Sequence, residues 1–365
     1  MDEVRDVAGI SVPFTAGTAA GFWMADSFLR ETLSPSILSS ASLIFTAAFI
    51  FLAVRNRGLA WFSAAYFATG LFCASASSAG IALIPDTGTG IAARCSSALK
   101  GLIDDMPFRS PDSGAVVKAL LTGDRSGLSS ESVRIFRQSG ASHILALSGL
   151  HLGIIYLIIS NFFTIFGNSI TSRKLRCLLV CAAAGFYTLM TGAGPSIVRA
   201  FLFICIRELS GISSGRQQGA ARTLLICLTV QLAISPQVMK SVGFQLSYLA
   251  MCGIVTILPV MQSWYPEAET RMGRLDPMRW IWNAASLAIS CQIFTAPLSW
   301  LRFHSFPRYF LITNISALPL ATLIMFLSVV TAILHAAGIC PEILVMTDER
   351  LISILTGVLE TICSM

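Results

Sequence analysis

The sequence predicts an all-α fold, a polytopic helical membrane protein with about nine to eleven membrane helices, some of them short, broken or re-entrant. Three observations carry this reading. Of 365 residues, 55% are hydrophobic and only 12% charged, with a mean hydropathy of +0.73; soluble domains carry about 25% charged residues. Apolar runs of about 17–25 residues, the length that crosses a bilayer, recur along the chain. The runs are continuous and do not alternate, which excludes a membrane β-barrel. Lipid offers no partner to open backbone groups, so each run must be helical.

In chain order the candidate spans are 8–25, 36–54, 59–84, 143–166, 175–192, 196–209, 221–235, 242–261, 281–300, 309–336 and 350–364. Three of them (196–209, 221–235 and 350–364) are too short or too interrupted to count as full crossings. The start, MDEVRDVAGI, has acids on both sides of Arg5 and no basic region, so it does not read as a cleaved signal peptide. Short loops hold Arg55 and Arg57, then Arg173, Lys174 and Arg176, then Arg207, Arg216 and Arg222, then Arg271, Arg274 and Arg279. With a cytoplasmic N-terminus all four groups fall inside, as the positive-inside rule asks. The net charge of +6 is therefore read first as topology.

That scheme divides the chain into N-terminal membrane helices (1–84), an external segment (85–142) and a membrane core (143–365). The external segment opens with the turn signal PDTGTG. It continues through the amphipathic IAARCSSALKGLIDDM, a PFRSPDSG loop, a short VVKALLTG helix and a helix in GDRSGLSSESVRIFRQSG. Ser129 or Ser130 can cap this last helix, Glu131 suits its N-terminal end, Val133 and Phe136 share a face, and Gly140 can end it. From 86 to 137 seven basic residues (Arg94, Lys100, Arg109, Lys118, Arg125, Arg134, Arg137) face six acidic ones (Asp86, Asp104, Asp105, Asp112, Asp124, Glu131). A nucleic-acid surface shows a clear basic excess, and this segment does not.

The ten cysteines form no framework: there is no CxxC and no Cys/His set with zinc spacing, so no metal and no cofactor is expected. No nucleophile–base pair stands out either, and the chain is not read as an enzyme. The polar residues in apolar runs are the candidates for function. In SGLHLG, Gly149 and Gly153 stand at small-xxx-small spacing for close helix approach. Ser148 and His151 lie a turn apart there. His151 either faces an aqueous path or is a neutral ring bonded to a packed neighbour. In TGAGPSIVRAF, Gly192, Gly194 and Pro195 break one helix and start another, with Arg199 one turn in. A half-helix N-terminus beside a guanidinium suits phosphate, although Arg199 can also snorkel to headgroups. Gln245, Gln292, His304 and Asn314 are polar groups that either glue helices or share that lumen. PRYFLITNISALPL places Asn314 in a kinked or re-entrant segment. Gly123, Asp124, Arg125 and Gly127 in GDRSG read as a structural corner locking the external segment to the 143–166 span, with an ion pair of its own.

GDRSGLSSESVRIFRQSGASHILALSGLHLGII resembles the signature of the ComEC family, membrane channel proteins of bacterial DNA uptake in natural competence. TGAGPSIVRAFLF, ISPQVMKSVGFQLSYLAMCGI and APLSWLRFHSFPRYFLITNISALPL resemble that family in the same order, and the similarity covers most of 1–335. The resemblance implies an integral channel of the bacterial cytoplasmic membrane that takes up single-stranded DNA during transformation. It also leaves room for separate receptor, nuclease or ATPase subunits. The alternative is a transporter or scaffold that has lost uptake. Two departures bear on this. The gap from 85 to 118 is too short for the family's OB-type domain, and no HxHxDH motif of a metallo-β-lactamase-like domain is present. The expectation is a channel core alone.

Overall fold

All described elements of the computed structural model are helical, as a backbone that must satisfy itself in lipid requires. The structure describes residues 2–28, 35–56, 59–80, 89–146, 148–164, 169–213, 218–265, 276–304 and 308–364. The helices are α1 (Asp2–Trp23), α2 (Pro35–Asn56), α3 (Leu59–Ser78), α4 (Thr89–Asp104), α5 (Pro111–Thr122), α6 (Ser130–Gln138), α7 (Gly149–Thr164), α8 (Ile170–Met190), α9 (Pro195–Ser213), α10 (Ala220–Ile234), α11 (Val242–Thr256), α12 (Leu258–Ser263), α13 (Pro277–Phe303), α14 (Phe310–Ala336) and α15 (Glu342–Cys363). Among the described residues five stretches are long and apolar enough to cross a membrane: Val4–Asp26, Ile37–Arg55, Val242–Ser263, Pro277–Phe303 and Phe310–Ala336. The chain is a multi-pass membrane protein. The expected number of crossings was larger; Gly149–Phe163 and Ala220–Ile234 are apolar but shorter, and α8, α9 and α15 carry more charge.

Packing divides the chain into two compact units that interleave in sequence. The first comprises Met1–Thr87 and Leu202–Tyr248. Its α1 and α3 meet through glycine: a Cβ on Gly17 would lie 1.9 Å from Phe67 O, and one on Gly70 2.1 Å from Phe14 O. Gly17 with Gly21 and Gly70 with Ala74 are small-xxx-small pairs, so the two backbones touch. Between α2 and α3 the buried hydroxyls of Ser42 and Ser75 bond at 2.8 Å. Between α10 and α1, Thr229 donates to Ser11 Oγ at 2.8 Å. These are short polar side chains satisfied across helices inside an apolar bundle.

The second unit comprises Gly88–Phe201 and Leu249–Met365. Its core gathers Val117, Leu120 and Leu121 of α5, Ile135 and Phe136 of α6, Ile324 and Met325 of α14, and Ile352, Leu355 and Leu359 of α15. The segment read as external thus supplies the middle of this core, and the C-terminal half of α5 is largely buried.

Several expectations are corrected. PDSG is not loop: Pro111 opens α5, since proline lacks the N–H that a first turn leaves unused. The 143–166 span begins only at Gly149, and His143 lies in a 3₁₀ turn (Ala141–His143). The 242–261 span is kept as Val242–Ser263, with a single-residue interruption at Ile257 between α11 and α12 and Pro259 in the first turn of α12. Asn314 lies in a continuous α14 that accommodates Pro319, so this segment is not re-entrant. Val133 is exposed while Ile135 and Phe136 form the buried face of α6. Gly153 has nothing within 4 Å of an added Cβ, so close approach is confined to Gly149. PDTGTG up to Gly88, together with Arg57, Arg216, Arg271 and Arg274, lies outside the described residues.

Candidate functional site

The GDRSG turn does not make the internal ion pair expected of it. Gly123 closes α5 in the left-handed region (φ 74°), its N–H donating to Ala119 O. Asp124 and Arg125 do not pair with each other. Asp124 binds Lys100 of α4 at 2.7 Å and accepts the Ser126 N–H. The Lys100 ammonium holds its carboxyl well below the usual carboxylate range, with Ser126 second. Arg125 Nε donates to Leu145 O at 3.3 Å, just before α7, and Gly127 lies over Ala115. One turn therefore ties α4, α5 and the start of α7 together.

The carbonyls at the end of α5 have no partner within their own helix. Two neighbouring helices supply donors. Tyr187 of α8 donates its hydroxyl to Leu121 O at 2.6 Å. His151 of α7, 4% exposed, reaches Leu120 O through Nε2. The Ser148 N–H donates to His151 Nδ1 at 3.2 Å, so Nδ1 is the acceptor and Nε2 carries the proton. Ser148 Oγ also accepts the Leu150 N–H, capping α7. Both ring nitrogens of His151 are thus engaged within the fold.

The helix break is present. After Met190 the chain turns through Gly192 (φ 82°) and Ala193 (φ 50°), and Pro195 starts α9. Two of the new N–H groups, on Ile197 and Val198, return to Gly194 O. Arg199, one turn in, lies against the start of α7: a Cβ on Gly149 would stand 3.3 Å from Ala200 Cβ and 3.7 Å from the Arg199 guanidinium. The charge of Arg199 also reaches Cys291 of α13. Gln292, half-buried, is the next residue. On α13, Trp280 and Trp300 are 52% and 57% exposed. Their 20-residue separation is about 30 Å of helix, and Ser290 stands midway. There the backbones of α11 and α13 touch, an added Cβ on Gly253 falling 2.0 Å from Ser290 O.

The remaining candidates are dispersed. Asn314 of α14 lies near His143, whose Nδ1 contacts Gly140 O at 2.9 Å in the turn before α7. His304 is an exposed left-handed residue (φ 48°) ending α13, its N–H bound to Trp300 O. Gln245 belongs to the other unit, where its amide donates to Met239 O at 2.9 Å. In that unit Lys240 pairs with Asp26 at 2.7 Å and sits over the Phe22 ring. Sequence reading missed Tyr187 and Lys100; the only available signal was a phenol in an apolar run and a lysine on an amphipathic helix. Among the described residues no three His, Cys, Asp or Glu side chains are grouped to hold a metal.

A multi-pass all-helical protein, broken at a Gly-Pro turn and cornered by GDRSG, defines a class that comparison makes specific. The family model described as "Competence protein" matches residues 120–365. The chain belongs to the competence protein family. It is 28% identical over 214 residues to ComE operon protein 3 of Bacillus subtilis (strain 168), covering 58% of this chain and 25% of that one. It is 24% identical over 230 residues to the uncharacterized protein YcaI of Escherichia coli (strain K12), covering 61% and 29%. An uncharacterized protein of Aquifex aeolicus (strain VF5) is 28% identical over 146 residues, covering 40% and 33%. Each match therefore spans a third or less of the relative's length. No solved structure matches the chain.

Proposed function

We propose that this chain passes single-stranded DNA across the bacterial cytoplasmic membrane during transformation. In this reading the N-terminus is cytoplasmic, and the phosphate-facing wall of the path is formed in the second unit by Arg199 and the first turns of α7 and α9. One observation carries the proposal: the Arg199 guanidinium stands where α7 begins, 3.7 Å from where a Cβ on Gly149 would be. Tryptophans favour the two interfaces of a bilayer, and about 30 Å is its hydrocarbon thickness. In this reading Ser290 marks the midplane on α13 and Arg199 lies at that depth. A guanidinium at that depth offers charge-assisted donors to a passing phosphate. Two helix N-termini beside it add partial positive charge suited to phosphate. Gln292, at the same depth, adds an amide. Ser148 and His151 act by fixing where α7 starts and so where Arg199 points. Family membership and the likeness to ComE operon protein 3 support the cargo.

A transporter or scaffold of another substrate is the competing reading. It is favoured by the bonds of His151 and Gln245, each made within its own unit. The deciding experiment replaces the resident copy in a transformable host by this gene and measures entry of labelled DNA into the cytosol. Arg199→Ala, inserted at the wild-type level, is expected to cut entry about 10–100-fold, the worth of one charge-assisted contact. Arg199→Lys is expected to restore part of it. Wild-type entry with Arg199→Ala would rule out the phosphate wall. Unchanged transformation on deletion of the whole gene would rule out the uptake function.

A further inference from the structure

We propose that Asp348 and Ser328 form a proton-binding site inside the α14–α15 hairpin, which seats α15 when protonated and loosens it when ionised. The buried stripe of α15 runs Val345, Asp348, Ile352, Leu355, Leu359, Ile362 at alternating helical spacings of three and four. A carboxyl thus occupies a core position on an otherwise apolar face. Asp348 is 0% and Ser328 1% exposed. Ser328 Oγ donates to Asp348 Oδ2 at 2.6 Å, and Oδ1 is buried with no hydrogen-bond partner. One neutral hydroxyl does not replace the hydration of a carboxylate. A proton taken from solvent onto Oδ2 removes the charge, reverses that hydrogen bond so that the acid donates to Ser328, and leaves a neutral carbonyl at Oδ1.

Charged groups around the pair do not compensate it. Facing it, α14 carries no Asp, Glu, Lys or Arg, and its His335 lies about two turns beyond Ser328. From α5 come Asp112 and Lys118, the latter paired with Asp104; from α6 come Glu131 and Arg134, paired with each other, and Arg137. On α15 itself stand Glu342, Glu349, Arg350 and Glu360, and the Glu349 charge opposes ionisation of its neighbour. With these charges α15 is not one of the five stretches long and apolar enough to cross a membrane. Burial, opposed by the Ser328 bond, pushes the Asp348 carboxyl up to about 6. The sign follows: an acid raised in the folded state stabilises it at low pH, and that contribution is lost as pH rises through about 6.

Loosening α15 has a local consequence. Glu349 accepts the backbone N–H groups of Arg109 and Ser110, which lead into α5. It lines an open cleft of about 600 Å³ between α5, α6 and α15 that brings water to the residue beside Asp348. The site is independent of the DNA reading. The test is amide hydrogen exchange of α15 in the full chain held in lipid nanodiscs from pH 5 to 8, corrected for intrinsic exchange. Wild type is expected to lose protection with a midpoint near pH 6. Asp348→Asn, neutral throughout, is expected to stay protected. Ser328→Ala removes the donor that favours the carboxylate and is expected to move the midpoint to higher pH. Identical pH profiles for wild type and Asp348→Asn would overturn the proposal. Where Asp348→Asn does not fold, an unmoved midpoint in Ser328→Ala overturns it.

Discussion

Leu120 and Leu121 offer their carbonyls to His151 and Tyr187 at the buried end of α5. Removing one donor leaves a desolvated acceptor, which costs about 1–3 kcal/mol. His151→Ala and Tyr187→Phe are each expected to lower unfolding stability in detergent by that order. The double variant is expected to lose less than the sum, because both bonds hold one helix end. Denaturant titration of the four proteins checks this; strict additivity would mean that the two bonds act separately. The same experiment separates two roles of His151. If it only positions α7, loss of DNA entry follows loss of stability. If it touches cargo, entry falls in a variant that remains stable.

At the level of helices, the α1–α3 pair depends on the absence of side chains. Carbonyl oxygens occupy the space where Cβ atoms of Gly17 and Gly70 would be, so any larger residue must separate the backbones. Overpacking a fitted interface costs about 1–3 kcal/mol. Gly17→Leu and Gly70→Leu are expected to exceed that range and lower the yield of folded protein. Gly153→Ala, with open space around it, is expected to fold like the wild type. Size-exclusion profiles of the purified variants check both. Equal behaviour of Gly17→Leu and Gly153→Ala would mean that the close approach is not needed. Helix starts follow local chemistry equally clearly: Ser129 caps α6 by accepting the Ser132 N–H, and Asp276 caps α13 by accepting the Met278 N–H.

For the whole molecule, the proposed depth scale on α13 ties the site to the bilayer. Trp280 and Trp300 are expected about 15 Å from the bilayer centre on opposite sides. Single-tryptophan variants quenched by lipids brominated at graded depths measure this. Deep quenching of either residue would displace Arg199 from the midplane and weaken its assignment to a phosphate wall. Acidification is expected to leave the corner intact over the range in which Asp348 titrates, because Lys100 keeps Asp124 ionised far below it. Exchange protection of the Asp124–Ser126 turn measured alongside α15 checks that independence.

Helical class, membrane setting, the Gly-Pro break and the GDRSG corner were legible in the sequence because each rests on neighbours along the chain. Hydropathy is summed over a window; caps, turns and proline breaks are settled within a few residues. The partners were not legible. Nothing local indicates that Asp124 takes Lys100 in place of Arg125, or that both nitrogens of His151 are already engaged. Nor does the charge-balanced 86–137 stretch reveal that α5 lies at the centre of a core. Which helix faces which is fixed by long-range packing, where the same apolar run can meet lipid or protein at similar cost. Hydropathy set which segments leave water; only the tertiary structure decided which polar groups among them have partners.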